Sequence, residues 1–228
     1  MAPIVFAHRG ASGYEPGNTL AAFELALQQG AAGLETDAWL ASDGVPVLVH
    51  DRERRRWLRR VDVTRVSSER LAGHGVLRLS DLYERCGTAF ELSVDLRHAE
   101  VAPALVAGAV AAGAAERLYV CAGSPTLLGG LRRTSSAPQL VCSTRSRPQP
   151  GWLPELLTIL GPLGIGVVNL RCDEWRAELV DRVHDAGMRA FGWDAHSDER
   201  VRRLAELGID GLYSNYPDRA LAVVAGRS

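Results

Sequence analysis

The sequence predicts a (β/α)8 TIM barrel forming one domain over residues 1–228, with a short insertion over 52–79 after the second strand. Three observations carry this. Short apolar runs rich in Val, Leu, Ile and Ala alternate with segments of helical periodicity along the chain, the pattern of a parallel sheet covered by helices. The polar residues that suggest chemistry fall where those apolar runs end, as they do when a site gathers at the C-terminal face of a barrel. The length of 228 residues is close to the ~250 typical of that fold. A doubly wound open sheet is the alternative.

Taken in order, the first strand covers Ile4 to Ala7 and closes on His8. Asn18 or Thr19 can cap a helix whose apolar stripe is Leu20, Phe23 and Leu27 and which Gly30 ends. A second strand runs over residues 33–38. The turn signal Ser42-Asp43-Gly44 then sends 45–49 back along it, ending on His50. Segment 52–79 interrupts the alternation and opens with Arg52, Arg54, Arg55, Arg56, Arg59 and Arg60 around Trp57 and Leu58. It reads as a solvated charge run or as a basic lip over the site, facing anionic phosphodiesters or a membrane surface. His74 and His98 read as loop and surface residues.

A helix beginning at Ser80 leads into a strand over 91–97. Helices are expected over 99–113, 124–133, 153–160, 175–186 and 197–207, with strands over 118–122, 139–143, 166–170, 188–193 and 211–214. A last helix starts at Pro217. Pro148, Pro150 and Gly151 mark a loop, because the alternation continues past them.

Composition narrows the function. Hydrophobic residues make up 46% and charged residues 23%, and the net charge of -1 excludes a general attraction to nucleic acid. All 26 basic residues are arginine, so lysine Schiff-base chemistry is excluded. Cys86, Cys121, Cys142 and Cys172 have no metal-ligand spacing and read as free thiols. With no apolar stretch of membrane-spanning length and no basic leader, a cytoplasmic location without stable membrane insertion is expected. Glycine-rich stretches at Gly10 and Gly161 match neither a nucleophile elbow nor a dinucleotide fingerprint.

The chemistry concentrates between His8 and Asp51. In Gly33-Leu34-Glu35-Thr36-Asp37-Ala38 the strand period of two puts Glu35 and Asp37 on one face. Two carboxylates that close raise each other's pKa or require a cation, and hard oxygen donors suit Mg2+ or Ca2+. His8 and His50 each end an apolar run, where acid/base work near neutral pH is done. Arg9 beside Gly10 offers a planar fork for phosphate oxygens. The 91–97 strand puts Ser93, Asp95 and Arg97 on one face, a metal ligand and a phosphate grip or simply a salt bridge.

The runs HRGASGY, then P-x-NT, GLETDAWL and DG-x-P-V-x-VHD, in that order, resemble the glycerophosphodiester phosphodiesterases. LSVDLR near Asp95 and GIDGLYSNYPD after Gly208 continue the likeness over essentially the whole chain. The resemblance implies a divalent metal held by Glu35, Asp37 and Asp95, and His8 and His50 sharing general acid and base duties. It also implies Arg9 and Arg97 on the phosphoryl oxygens, Trp193 on the pocket wall, and a small glycerophosphodiester as substrate. In the family the glycerol 2-hydroxyl or a water attacks phosphorus, giving glycerol 3-phosphate and an alcohol. The chain departs from the pattern at Gly17, where the family has Glu in Pro-Glu-Asn-Thr; at Asp95, usually Glu; and at Arg97, usually Lys. Glu15 is a candidate substitute for the missing carboxylate; if nothing has replaced it, Gly17→Glu is expected to strengthen metal binding, the alternative being that Gly17 sits in a turn of positive φ that glutamate would strain. Asp95 also resembles the phospholipase D toxins of spider venom, which makes lysophospholipid the alternative substrate; a phosphate-binding barrel with little turnover is the other alternative.

Overall fold

The computed structural model describes residues 2–56, 59–146 and 151–226. Trp57, Leu58, Pro148 and Pro150, to which the sequence assigned lip and loop roles, lie outside the described residues. The strands are β1 (Ile4–His8), β2 (Gly33–Leu40), β3 (Pro46–Leu48), β4 (Glu53–Arg56), β5 (Arg59–Asp62) and β6 (Leu77–Arg78). They continue with β7 (Glu91–Leu96), β8 (Leu118–Ala122), β9 (Gln139–Ser143), β10 (Val167–Arg171), β11 (Arg189–Trp193) and β12 (Gly211–Ser214). The helices are α1 (Leu20–Gln28), α2 (Ser68–Ala72), α3 (Leu79–Cys86), α4 (Val101–Ala111), α5 (Pro125–Thr134), α6 (Trp152–Leu160), α7 (Ala177–Asp185), α8 (Asp198–Glu206) and α9 (Pro217–Val224).

Eight parallel strands close in the order β1-β2-β7-β8-β9-β10-β11-β12, with β12 back against β1. The expected (β/α)8 barrel is what the chain forms. The strand period of two sorts side chains: Val5, Ala7, Leu34, Leu92 and Val94 face the helices, while Phe6, Tyr119, Phe191 and Tyr213 fill the barrel. Phe6 stacks on Tyr213 at 5.0 Å and meets Tyr119 edge-on at 5.4 Å. This plug depends on glycine, since a Cβ on Gly33 would come within 2.5 Å of the Phe6 ring and one on Gly211 within 2.8 Å of Phe191. Burying each such ring is worth about 1.5–3 kcal/mol relative to exposure, and the plug forms the floor under the site.

Register aligns the chemistry. His8 lies opposite Glu35 across β1 and β2, and Asp37 opposite Asp95 across β2 and β7. Thr19 starts α1 as the sequence suggests, its hydroxyl accepting from the Ala22 amide at 3.3 Å.

The excursion after β2 has a small core of its own. β3 folds back antiparallel on β2, with Ala38 opposite Leu48, and β6 pairs with β3. Trp39, Val47, Val49, Val63, Leu71 and Val76 pack together beneath the β4–β5 hairpin. Asp43 ties α2 down by accepting from the Ser68 amide and hydroxyl.

Candidate active site

A cavity of about 480 Å³ opens among the C-terminal ends of the barrel strands and is lined by every residue singled out from the sequence: His8, Arg9, Glu35, Asp37, His50, Asp95, Arg97 and Trp193. Glu35, Asp37 and Asp95 each present a carboxylate oxygen within 4.8 Å of the others. Glu35 and Asp37 are almost completely buried. Burial, then the charges of Asp37 and Asp95, push Glu35 well above the usual carboxylate range. Burial, then Asp37, push Asp95 up to about 6, against the opposing pull of Arg97 and Arg9. Three mutually repelling carboxylates, two of them buried and the third partly so, without a sulfur or imidazole donor fit a hard divalent cation.

A polar shell holds these carboxylates in place. The Arg9 amide donates to Glu35 Oε2 at 2.9 Å, and Arg9 Nε lies 3.2 Å from Asp37 Oδ2. Asn18 Nδ2 donates to Asp37 Oδ2 at 3.2 Å, and Asn18 Oδ1 accepts from Thr36 at 2.8 Å. Arg97 reaches Asp37 at 3.9 Å, so the strand partner suggested by sequence, Asp95, is not the carboxylate it pairs with. Below, Ser93 contacts Tyr213 Oη at 3.0 Å and Cys121 Sγ at 3.2 Å. Arg9, Asn18 and Asp194 all adopt positive φ, of 56°, 59° and 67°, a conformation that costs a non-glycine residue of order 1–3 kcal/mol and clusters at functional sites. Gly10 must be glycine, because a Cβ there would sit 2.5 Å from the Ala22 backbone.

The alternative account of Gly17, a turn of positive φ, does not hold; the left-handed residue is its neighbour Asn18, whose amide donates to Asp37. Gly17 is instead crowded, since a Cβ would lie 3.0 Å from that of Arg9. Glu15 stands outside the carboxylate cluster. Of the lip residues, the side chains of Arg54, Arg55, Arg56 and Arg59 lie outside what the structure describes, and Arg52 and Arg60 are taken up by Asp62 and Glu53. Those two arginines therefore form no lip.

The histidines differ. His8 Nδ1 hydrogen-bonds Asn215 Oδ1 at 2.6 Å, leaving Nε2 free toward the carboxylates, 3.8 Å from Glu35. Burial lowers the His8 pKa to about 4, Asn215 opposing and the charge of Arg9 reinforcing the shift. The imidazole is therefore neutral near pH 7. His50 is more open and pairs through Nδ1 with Asp51 at 2.7 Å, while Trp39 Nε1 donates to its backbone carbonyl. His98 stands at the surface, half-exposed and stacked on Trp39.

Sequence reading passed over Asn215, His196 and Arg145, and saw in Asn18 only a helix cap. His196 stacks on His8 at 5.6 Å, accepts from the Asn215 amide and faces Asp194. Burial lowers its pKa. The available signal was position: each of the three lies just beyond a barrel strand.

Residues 8–84 and 88–219 match the sequence model of the glycerophosphoryl diester phosphodiesterase family. The glycerophosphodiester phosphodiesterase of Caldanaerobacter subterraneus is 22% identical over 247 residues, covering 98% of this chain and 98% of that one. The crystal structure of the glycerophosphodiester phosphodiesterase from Thermotoga maritima superposes with a TM-score of 0.83 at 19% identity, over 98% of this chain and 99% of that one. An Oleispira antarctica phosphodiesterase, solved with the product sn-glycerol-3-phosphate, gives 0.82 at 20% identity, over 98% and 97%.

Proposed function

Because this chain belongs to the glycerophosphoryl diester phosphodiesterase family, hydrolases of phosphoric diesters, we propose that it cleaves glycerophosphodiesters to glycerol 3-phosphate and an alcohol. In this reading Glu35, Asp37 and Asp95 hold a Mg2+ or Ca2+ ion, and His8 and His50 move the protons. The observation that carries it is the cluster of Glu35, Asp37 and Asp95, the last two opposite each other across β2 and β7, with a neutral imidazole nitrogen 3.8 Å from Glu35. The product named in the Oleispira antarctica complex supports the same substrate class.

Arg9 and Arg97 grip the phosphoryl oxygens and hold phosphorus in front of His8. A bound divalent ion supplies charge neutralisation of the phosphate and acidifies a hydroxyl. His8 is the general base: Nδ1–H is committed to Asn215, so the lone pair on Nε2 takes the proton of the attacking water or of the glycerol 2-hydroxyl. The P–O bond to the alcohol then breaks, and His50, held through Nδ1 by Asp51, donates a proton from Nε2 to the departing oxygen. Where the 2-hydroxyl attacks, a water then opens the resulting cyclic phosphate to glycerol 3-phosphate. Trp193 closes one wall against water.

Glycerol 3-phosphate release from a glycerophosphodiester panel tests the reading, with choline release from lysophosphatidylcholine run alongside. Glycerol 3-phosphate is the expected product. Choline alone, or binding without either product, would refute it.

A further inference from the structure

The wall of the cavity at the ends of β9 and β11 carries a positive charge with no ion-pair partner among the described residues. Arg145, just past β9, lays its guanidinium over the Trp193 ring, 5.2 Å from the centroid, and forms no ion pair among the described residues. The carboxylate on this wall is already taken. Asp194 meets Arg171 at 3.0 Å, Arg200 at 3.1 Å and His196 at 3.4 Å. The hydrogen bond from Arg171 and the charge of Arg200 keep it ionised and below the ordinary range, although burial works the other way. Outside the triad, no other described carboxylate lines the cavity.

An open aromatic face in such a pocket is the usual seat for a quaternary ammonium. Here that face is covered by a cation. A choline or ethanolamine arm would meet the Arg145 charge with no free carboxylate to offset it, whereas hydroxyl or anionic oxygens would accept hydrogen bonds from the guanidinium.

Resting on the phosphodiesterase reading above, we propose that Arg145 makes this enzyme selective for glycerophosphodiesters whose alcohol is an uncharged polyol or an anion, against those bearing an ammonium. Like charges about 6 Å apart in a site open to water discriminate by roughly threefold to tenfold.

The experiment compares kcat/KM for glycerophosphoglycerol and glycerophosphocholine in the wild type, Arg145→Gln and Arg145→Glu, following glycerol 3-phosphate. If neither diester is cleaved, the same ratio is taken from calorimetric dissociation constants with Mg2+ present. The ratio is internal to each variant, so a general loss of activity does not disturb it. The wild type is expected to favour glycerophosphoglycerol at least about threefold, Arg145→Gln to move the ratio toward one, and Arg145→Glu to invert it. A wild-type ratio at or below one, or a ratio unchanged in both variants, overturns the selectivity. Glycerol 3-phosphate released at such a ratio would leave the phosphodiesterase reading standing, and a preference in binding without any release would overturn that reading alone.

Discussion

Replacing Asp95 with Asn should stabilise the metal-free protein while abolishing its response to metal. Asp95 is pushed up to about 6 by burial and by Asp37. Ionising it in the folded chain therefore costs about 3 kcal/mol relative to an ordinary carboxyl near 3.8. Between those two values the folded state binds more protons than the unfolded state, so the stability contributed by Asp95 falls as pH rises through the window. The penalty is complete above about pH 7, about half as large at pH 5 and nearly gone at pH 4. Asn keeps the shape without the charge. In excess chelator at pH 7.5 the Asp95→Asn protein should melt about 6–10 °C above the wild type, and the gap should narrow as pH falls. Adding Mg2+ or Ca2+ should raise the melting temperature of the wild type and leave the variant unmoved. Thermal unfolding by circular dichroism, with and without metal at each pH, reads all of this. A variant that melts below the wild type in chelator, or that is stabilised by metal as strongly, would refute the reasoning.

His8→Ala and His50→Ala should each lower kcat at least about 10²-fold with unchanged folding, the scale of a positioned acid or base; near wild-type turnover in either would return that histidine to a structural role. Asn215→Ala frees Nδ1 of His8 and should lower kcat about tenfold or more by loss of the productive tautomer, while the metal concentration for half-activation stays put; a shift in that concentration instead would place Asn215 with the ligands. Glu15→Gln should leave half-activation by metal within about twofold of wild type, as expected for a charge outside the carboxylate cluster. Gly17→Glu should lower kcat without tightening metal activation, because Arg9 stands beside Gly17 and reaches Asp37; tighter activation on a metal titration would show that the loop can rejoin the metal shell.

Much of this was legible because it is periodic. The alternation of strands and helices gives the barrel, and the period of two puts Glu35 and Asp37 on one face without knowledge of any neighbour. Register was not legible, since the pairings of His8 with Glu35 and of Asp37 with Asp95 join segments far apart in the chain. For the same reason Asn215, 207 residues from His8, could not be seen as its partner. Arg97 was readable beside Asp95 as a phosphate grip or a salt bridge, and its approach to Asp37 at 3.9 Å was not visible from that segment alone. The positive φ that would have accounted for Gly17 belongs to Asn18, whose side chain donates to Asp37, a partner 19 residues away. In the insertion, the charge run concealed the apolar residues Val61, Val63, Leu71 and Val76, which pack on Trp39 and Val47 or beside them.

In the proposed function the carboxylates of Glu35, Asp37 and Asp95 and two histidines make this barrel a metal-dependent phosphodiesterase. The most direct test is glycerol 3-phosphate release from glycerophosphoglycerol in chelator, then after addition of excess Mg2+ or Ca2+. No release is expected in chelator, with recovery on adding metal, and Asp95→Asn should not recover. Full activity in excess chelator would contradict the proposed function.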